Sequence, residues 1–281
     1  MIAMYRKAKG FDMDARPIVV FDSGLGGLTT VKKLTQLMPG EDIIYLGDTG
    51  RVPYGSRSRE TIIKYARQAA DFLAGFEIKA MVIACNTVCS TAHDMLDGFY
   101  GMPVYEVVTT PAKEAALSTK NRKIGVIGTA ATIRSGAYEA ALKNISPELM
   151  VFSVPCPLFV PLVENGRTSS DDVAALSIAD DYLKELREAG IDTLIMGCTH
   201  YPLLREVISK VMGRGITLID SGAETAKLVA SDMRERGMTA PASEKGNIKY
   251  YVTDSVDGFS MPASLYMESD VNGMVEQITL E

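Results

Sequence analysis

Apolar runs and helical patterns alternate along the chain from residue 17 to about 220. PIVVFDSG opens the series as a buried strand ending in a polar turn, and a helix follows through about Met38. DIIYLGD is the next strand. From about Arg59 to Ala74, Ile62, Ile63, Ala66, Ala69, Ala70 and Leu73 recur at helical spacing. MVIACN, the segment Thr87–Phe99 and the short run VYEVV complete the first half. The second half repeats the scheme: KIGVIGT, a helix around Ile133–Leu142, LMVFSV, a helix from about Ser170 to Ala189, TLIMGC, a helix from about Leu203 to Met212, and ITLID. Strands that are apolar almost throughout, separated by helices, imply parallel sheets covered on both faces.

Ligands of such sheets gather at the carboxyl ends of the strands. Asp22, Asp48, Cys85, Thr129 and Cys198 all fall there. In each half an apolar strand ends in a small polar turn, FDSG or VIGT. A later strand in each half ends in a cysteine followed by one residue or none before a threonine: Cys85-Asn86-Thr87 and Cys198-Thr199-His200. The expected architecture is therefore α/β: two similar α/β domains with mainly parallel sheets, related by a pseudo-two-fold, with the active site in the cleft between them. Residues 1–16 read as an N-terminal extension, 17–108 plus 221–281 as a discontinuous first domain, and 109–220 as the second. Beyond residue 220 a turn and helix lead to KYYVTDSVDGF, whose Lys249, Tyr250, Tyr251 and Val252 suit an edge strand returning to the first half.

Composition narrows the classes of function. The 281 residues are 47% hydrophobic and 23% charged, with a net charge of −6. This suits a soluble protein with a large core and speaks against a general nucleic-acid or membrane surface. No run approaches the ~18 apolar residues of a membrane span, and the first 16 residues lack a secretory signal's apolar segment. A cytoplasmic location is expected. Four cysteines, Cys85, Cys89, Cys156 and Cys198, are too few for a disulfide scaffold and stay thiols in a reducing compartment.

The individual motifs have plain readings as well as functional ones. FDSGLGGL lacks the third glycine of a dinucleotide fingerprint, because Thr29 stands there, and it lacks the lysine of a P-loop. Its plain reading is a strand-to-helix turn capped by Ser23. In GDTGRVPYGSRS, Asp48 ends a strand and Pro53-Tyr54-Gly55 form a loop. Thr129 opens TAATIRSGAY at a helix start, suited to a carboxylate or to simple capping. CPLFVPLVENG carries Glu164, and Pro155, Pro157 and Pro161 point to an ordered loop. Cys89 reads as a small core residue. Cys85, Cys198 and His200 could in principle meet around a metal, but their spacings match no zinc pattern.

Two thiols on opposite sides of a ligand could take a proton from one face of a carbon and deliver one to the other. Asp22 near Cys85, with Glu164 and His200 near Cys198, could manage the proton traffic. The motifs FDSGLGG, GDTGRVPYG, ACNT, GTAATIRSGAY, CPLFVPLVE and GCTHYPLL, in this order over residues 17–220, resemble those of the cofactor-independent glutamate racemases. The resemblance implies interconversion of L- and D-glutamate, supplying D-glutamate for peptidoglycan, with no cofactor and no metal. It implies Cys85 and Cys198 as the acid/base pair, supported by Asp22, Asp48, Glu164 and His200. It implies substrate contacts from Asp22, Ser23, Pro53, Tyr54, Gly55, Asn86, Thr87, Thr129, Thr199 and His200. The implied partners are the small-molecule substrate and a second copy in a homodimer, with no nucleic acid and no membrane. The family usually follows Asn-Thr with Ala-Ser, where this chain has Val88-Cys89. No arginine fork is evident in the motifs, so backbone amides and hydroxyl groups are expected to hold the substrate carboxylates. Two readings stand beside this one. The first is a two-thiol racemase of aspartate, a hydantoin or a related acid. The second is an amino-acid-binding or thiol-based sensor built on the same cleft.

Overall fold

The structure, a computed structural model, describes residues 14–96, 101–240 and 245–281, with the backbone alone for 93–96. Most of the expected N-terminal extension, residues 1–13, lies outside the described residues.

Among the described residues ten strands form two sheets. They are β1 Ile18–Asp22, β2 Ile43–Gly47, β3 Ala80–Ile83, β4 Val104–Glu106, β5 Lys123–Gly128, β6 Met150–Pro155, β7 Thr193–Gly197, β8 Thr217–Asp220, β9 Ile248–Val252 and β10 Val275–Gln277. One sheet has the order β10-β9-β2-β1-β3-β4, the other β6-β5-β7-β8, and every pairing is parallel. Every residue of β1, β2, β3 and β7 is buried, which is why these strands read as unbroken apolar runs. Among the described residues no helix is long and apolar enough to cross a membrane.

The sub-order β2-β1-β3-β4 is repeated by β6-β5-β7-β8, four strands later in the chain. The strand succession reverses between β1 and β3 in one sheet and between β5 and β7 in the other. A crevice opens at the carboxyl end of such a reversal. Asp22 ends β1 and Cys85 lies just beyond β3, while Thr129 follows β5 and Cys198 follows β7. The two thiols therefore occupy equivalent places in the two sheets.

Three local expectations need correction. Residues 248–252 form an interior strand, paired to β2 on one side and to β10 on the other. The short strand Val275–Gln277, polar and hard to see in sequence, takes the edge. The CPLFVP segment is not a loop throughout, because Phe159–Glu164 is a helix. Pro161 sits in its first turn, where a missing N–H leaves no hydrogen bond unmade. The region around Ile133–Leu142 is two helices, Ala130–Ser135 and Ala137–Ile145, divided at Gly136, whose φ of 67° suits glycine.

At the opposite, amino end of the larger sheet, Lys79 is fully buried and ion-paired with Glu41. Lys79 Nζ also donates to Asp14 O at 2.6 Å, and Glu41 Oε1 accepts from Ala240 N at 2.7 Å. The pair ties together the entries to β2 and β3 and the residues preceding β1 and β9. Lys79→Met strands a buried carboxylate and should cost about 3–5 kcal/mol in urea unfolding. The double variant Lys79→Met with Glu41→Leu should recover most of that loss. Activity of the folded fraction should be kept in both, since the pair lies at the far end of the strands.

Candidate active site

Both cysteines open into one cavity of about 340 Å³. Its wall also includes Ser23, Pro53, Tyr54, Gly55, Asn86, Thr87, Thr129, Glu164, Thr199 and His200. Among the described residues no lysine or arginine lines it. Besides the His200 imidazole, the polar groups available to an anion are hydroxyls, an amide and the backbone of the tight turns.

On the first wall Cys85 caps the end of β3, ahead of the helix Asn86–Leu96, and is 5% exposed. Its Sγ donates to Ser23 Oγ at 3.2 Å. Burial pushes this thiol up to about 12, the Asp22 carboxylate adds to the rise, and the Ser23 hydroxyl opposes it. Asp22 does not line the cavity but stands behind Cys85. Its Oδ2 accepts from Gly24 N at 2.9 Å, and its Oδ1 has no partner among the described residues. Burial raises the Asp22 carboxyl, while the charge of His200 draws it down. Ser23 is not a helix cap: the helix Leu28–Leu37 begins at Gly27 without a side-chain cap, and the Ser23 hydroxyl is turned to the thiol.

On the second wall Cys198 follows β7 directly and is 6% exposed. His200 Nδ1 lies 3.9 Å from its Sγ, and His200 Nε2 lies 3.1 Å from Glu164 Oε1. Burial opposes a charge on this imidazole. The hydrogen bonds to Cys198 and Glu164 outweigh it and carry His200 up to about 10. The two thiols thus sit in contrasting surroundings, one beside a buried carboxylate and the other beside a basic imidazole.

Small residues set the distances between the walls. A Cβ on Gly26 would stand 2.1 Å from Thr199 Oγ1 and 2.6 Å from His200 Nδ1, so the glycine turn of the first half abuts the His200 turn of the second. Gly26→Ala must push His200 from Cys198. It should cost about 1–3 kcal/mol of stability and lower kcat/KM by about tenfold or more, read by thermal melting and by racemisation rate. A Cβ on Gly55 would come within 2.6 Å of Thr129 Cβ. Thr129 caps the helix Ala130–Ser135 by accepting from Thr132 N, and its hydroxyl also meets Thr87 Oγ1 at 3.0 Å. Thr129 therefore caps its helix and lines the cavity at once.

Asp48 is fully buried and outside the cavity wall. Its Oδ2 accepts from Arg51 Nε at 2.6 Å and from the Tyr54 hydroxyl, and its Oδ1 accepts from Thr253 Oγ1 at 2.7 Å. It holds Tyr54, which does line the cavity. The sequence reading missed Gly24, Val52, Ser56, Ala130, Cys156, Pro157, Val160 and Pro161, which complete the lining. The proximity of Cys156 to Glu164 in CPLFVPLVE was the one available signal. Among the described residues no group of three or more His, Cys, Asp or Glu side chains is arranged to hold a metal ion.

The fold has close counterparts. The family model for Asp/Glu/hydantoin racemases matches residues 25–229. The chain is 46% identical to the glutamate racemase of Geobacter metallireducens, over 96% of this chain and 98% of that one. The crystal structure of a glutamate racemase isoform from Bacillus anthracis superposes with a TM-score of 0.89 at 36% identity, covering 94% of this chain and 98% of the other. That of the Francisella tularensis glutamate racemase, in complex with D-glutamate, gives 0.88 at 37% identity, with 96% and 99% covered. The chain belongs to the Asp/Glu/hydantoin racemase family, a family of isomerases. Within it, the relatives it matches over nearly its whole length are glutamate racemases.

Proposed function

We propose that the protein interconverts L- and D-glutamate through its two thiols and so supplies D-glutamate for peptidoglycan. The observation that carries this reading is the placement of Cys85 and Cys198 after equivalent strands of two like-ordered sheets, both lining one cavity. With the substrate α-carbon between them, one sulfur takes the α-proton as a thiolate. The opposite thiol delivers its own proton to the other face, so the configuration inverts and the proton count is unchanged. Cys85, held as a thiol by burial and by Asp22, starts as the donor when Cys198 is the base. His200, steadied by Glu164, exchanges the proton of Cys198. The roles reverse in the other direction.

The carbanionic state at an amino-acid α-carbon needs fixed donors rather than mobile solvent. Ser23, Asn86, Thr87, Thr129 and Thr199, with the amides of their turns, supply them in a wall without lysine or arginine. Asp48 serves by holding Tyr54 in the wall, and Asp22 by facing Cys85. The two sheets support the division into 17–108 with 221–281 and 109–220. The family likeness supports a cytoplasmic location and a homodimer, and light scattering of the purified protein tests the second.

In deuterated water, L-glutamate should lose its circular-dichroism signal and take up α-deuterium, while L-aspartate should do neither at a comparable rate. Exchange into aspartate alone would move the assignment to another branch of the family. Ligand-induced stabilisation without any exchange would make the protein a binding module.

A further inference from the structure

The two cysteine-bearing turns meet at one side chain outside the cavity wall. Tyr138, in the helix Ala137–Ile145, is 3% exposed. Its ring lies against Gly197, the residue before Cys198: a Cβ there would stand 2.9 Å from Tyr138 Cε2 and 3.4 Å from Cζ. Its hydroxyl lies 2.5 Å from Oδ1 of Asn86, the residue after Cys85, and 2.7 Å from Val107 O, so its one proton is shared between two acceptors. The other end of the Asn86 amide donates to Ser221 Oγ at 3.2 Å. One rigid aromatic ring therefore spans from the strand end that carries one thiol to the turn that carries the other.

We propose that Tyr138 is a positioning residue that sets the separation and facing of the two thiols. Its ring bears on Gly197, its hydroxyl holds Asn86, and Ser221 secures the far end of the same amide. The two sulfurs belong to different sheets, so no backbone ladder fixes their distance. Proton transfer to and from a carbon is steep in distance, and a displacement of about 1 Å can cost two orders of magnitude in rate. Glycine at 197 suits this contact and the Ile127 carbonyl beside it, which a Cβ would approach to 2.8 Å. Burial, reinforced by the nearby Glu106, pushes the phenol well up, so it remains a donor at every working pH.

The inference rests on the two-thiol reading, and the test separates the two. Tyr138→Phe keeps the ring on Gly197 and removes only the hydroxyl. The expected result is a kcat lower by about tenfold, a KM within about twofold of the parent, and a larger α-deuterium isotope effect on kcat, because proton transfer now limits turnover. The KM and the isotope effect belong to each active molecule, so a smaller folded fraction moves neither. A parental kcat and isotope effect, with at most a lower melting temperature, would overturn the proposal and leave Tyr138 a packing residue. Should Tyr138→Phe fail to fold, Ser221→Ala takes its place. It releases the same amide from its other end and must raise the isotope effect likewise, and a parental value would overturn the proposal. Cys85→Ala and Cys198→Ala are assayed alongside. If either still racemises, the two-thiol reading falls and this inference with it. If both are inactive while Tyr138→Phe matches the parent, this inference alone falls.

Discussion

Cys85→Ala and Cys198→Ala should each lower racemisation of glutamate by about three orders of magnitude or more, while Cys89→Ala stays within about twofold. General acid–base groups contribute typically 10²–10⁴-fold each. In an inversion no single thiol can do both steps, because each reaches only one face of the carbon. Removing either therefore blocks both directions. Cys89 is one helical turn from Cys85, yet its Sγ donates to Ile83 O at 3.1 Å inside the core and does not line the cavity. Burial pushes it well up, which keeps it an inert thiol. The measurement is the decay of circular dichroism from each enantiomer, with thermal melts to show that the alanine variants are folded.

The second large effect is on His200. His200→Asn should lower kcat by about 10²-fold, because the proton of Cys198 then has no neighbouring base. The two enantiomers have equal free energy in water, so kcat/KM must stay equal in the two directions, and any asymmetry of the variant must appear as proportional, parallel changes in kcat and KM. The same substitution has a signature in stability. His200 rises from an ordinary 6.5 to about 10 on folding, so between these values the folded state binds more protons than the unfolded one. Stability from this group is complete below about pH 6.5 and is lost as the pH rises through about 10, with a slope of at most about 1.4 kcal/mol per pH unit. Cys85, also raised, continues the decline from about pH 9 towards 12. Urea unfolding across pH 6–10 should show the decline in the parent protein and a flatter curve in His200→Asn. An equal slope in both would remove the imidazolium from the account.

Much of this was legible in sequence because buried parallel strands write themselves as continuous apolar runs. The carboxyl ends of those runs mark Asp22, Cys85, Thr129 and Cys198 in the sequence itself. Contacts across long separations were not legible. Ser23 reads as a cap from local chemistry, but the thiol 62 residues away takes its hydroxyl. Residues 248–252 read as an edge, since the strand that covers them, Val275–Gln277, is short and polar. The helix Phe159–Glu164 hid behind three prolines whose positions happen to spare its hydrogen bonds. Asp48 and Tyr138 are the clearest cases: one looks like a site carboxylate and is instead committed to Arg51, Tyr54 and Thr253, while the other closes the TAATIRSGAY segment, whose evident chemistry is its threonine at 129.

The most direct test of the central claim is the first turnover of α-protiated L-glutamate in deuterated water, with both enantiomers separated and weighed by mass spectrometry. Two opposed thiols require D-glutamate to carry α-deuterium from its earliest appearance, because its proton comes from the solvent-equilibrated sulfur on the far side, while the remaining L-glutamate keeps protium. Early D-glutamate that retains the substrate's own proton would mean that a single base carried it from one face to the other, and would contradict the account.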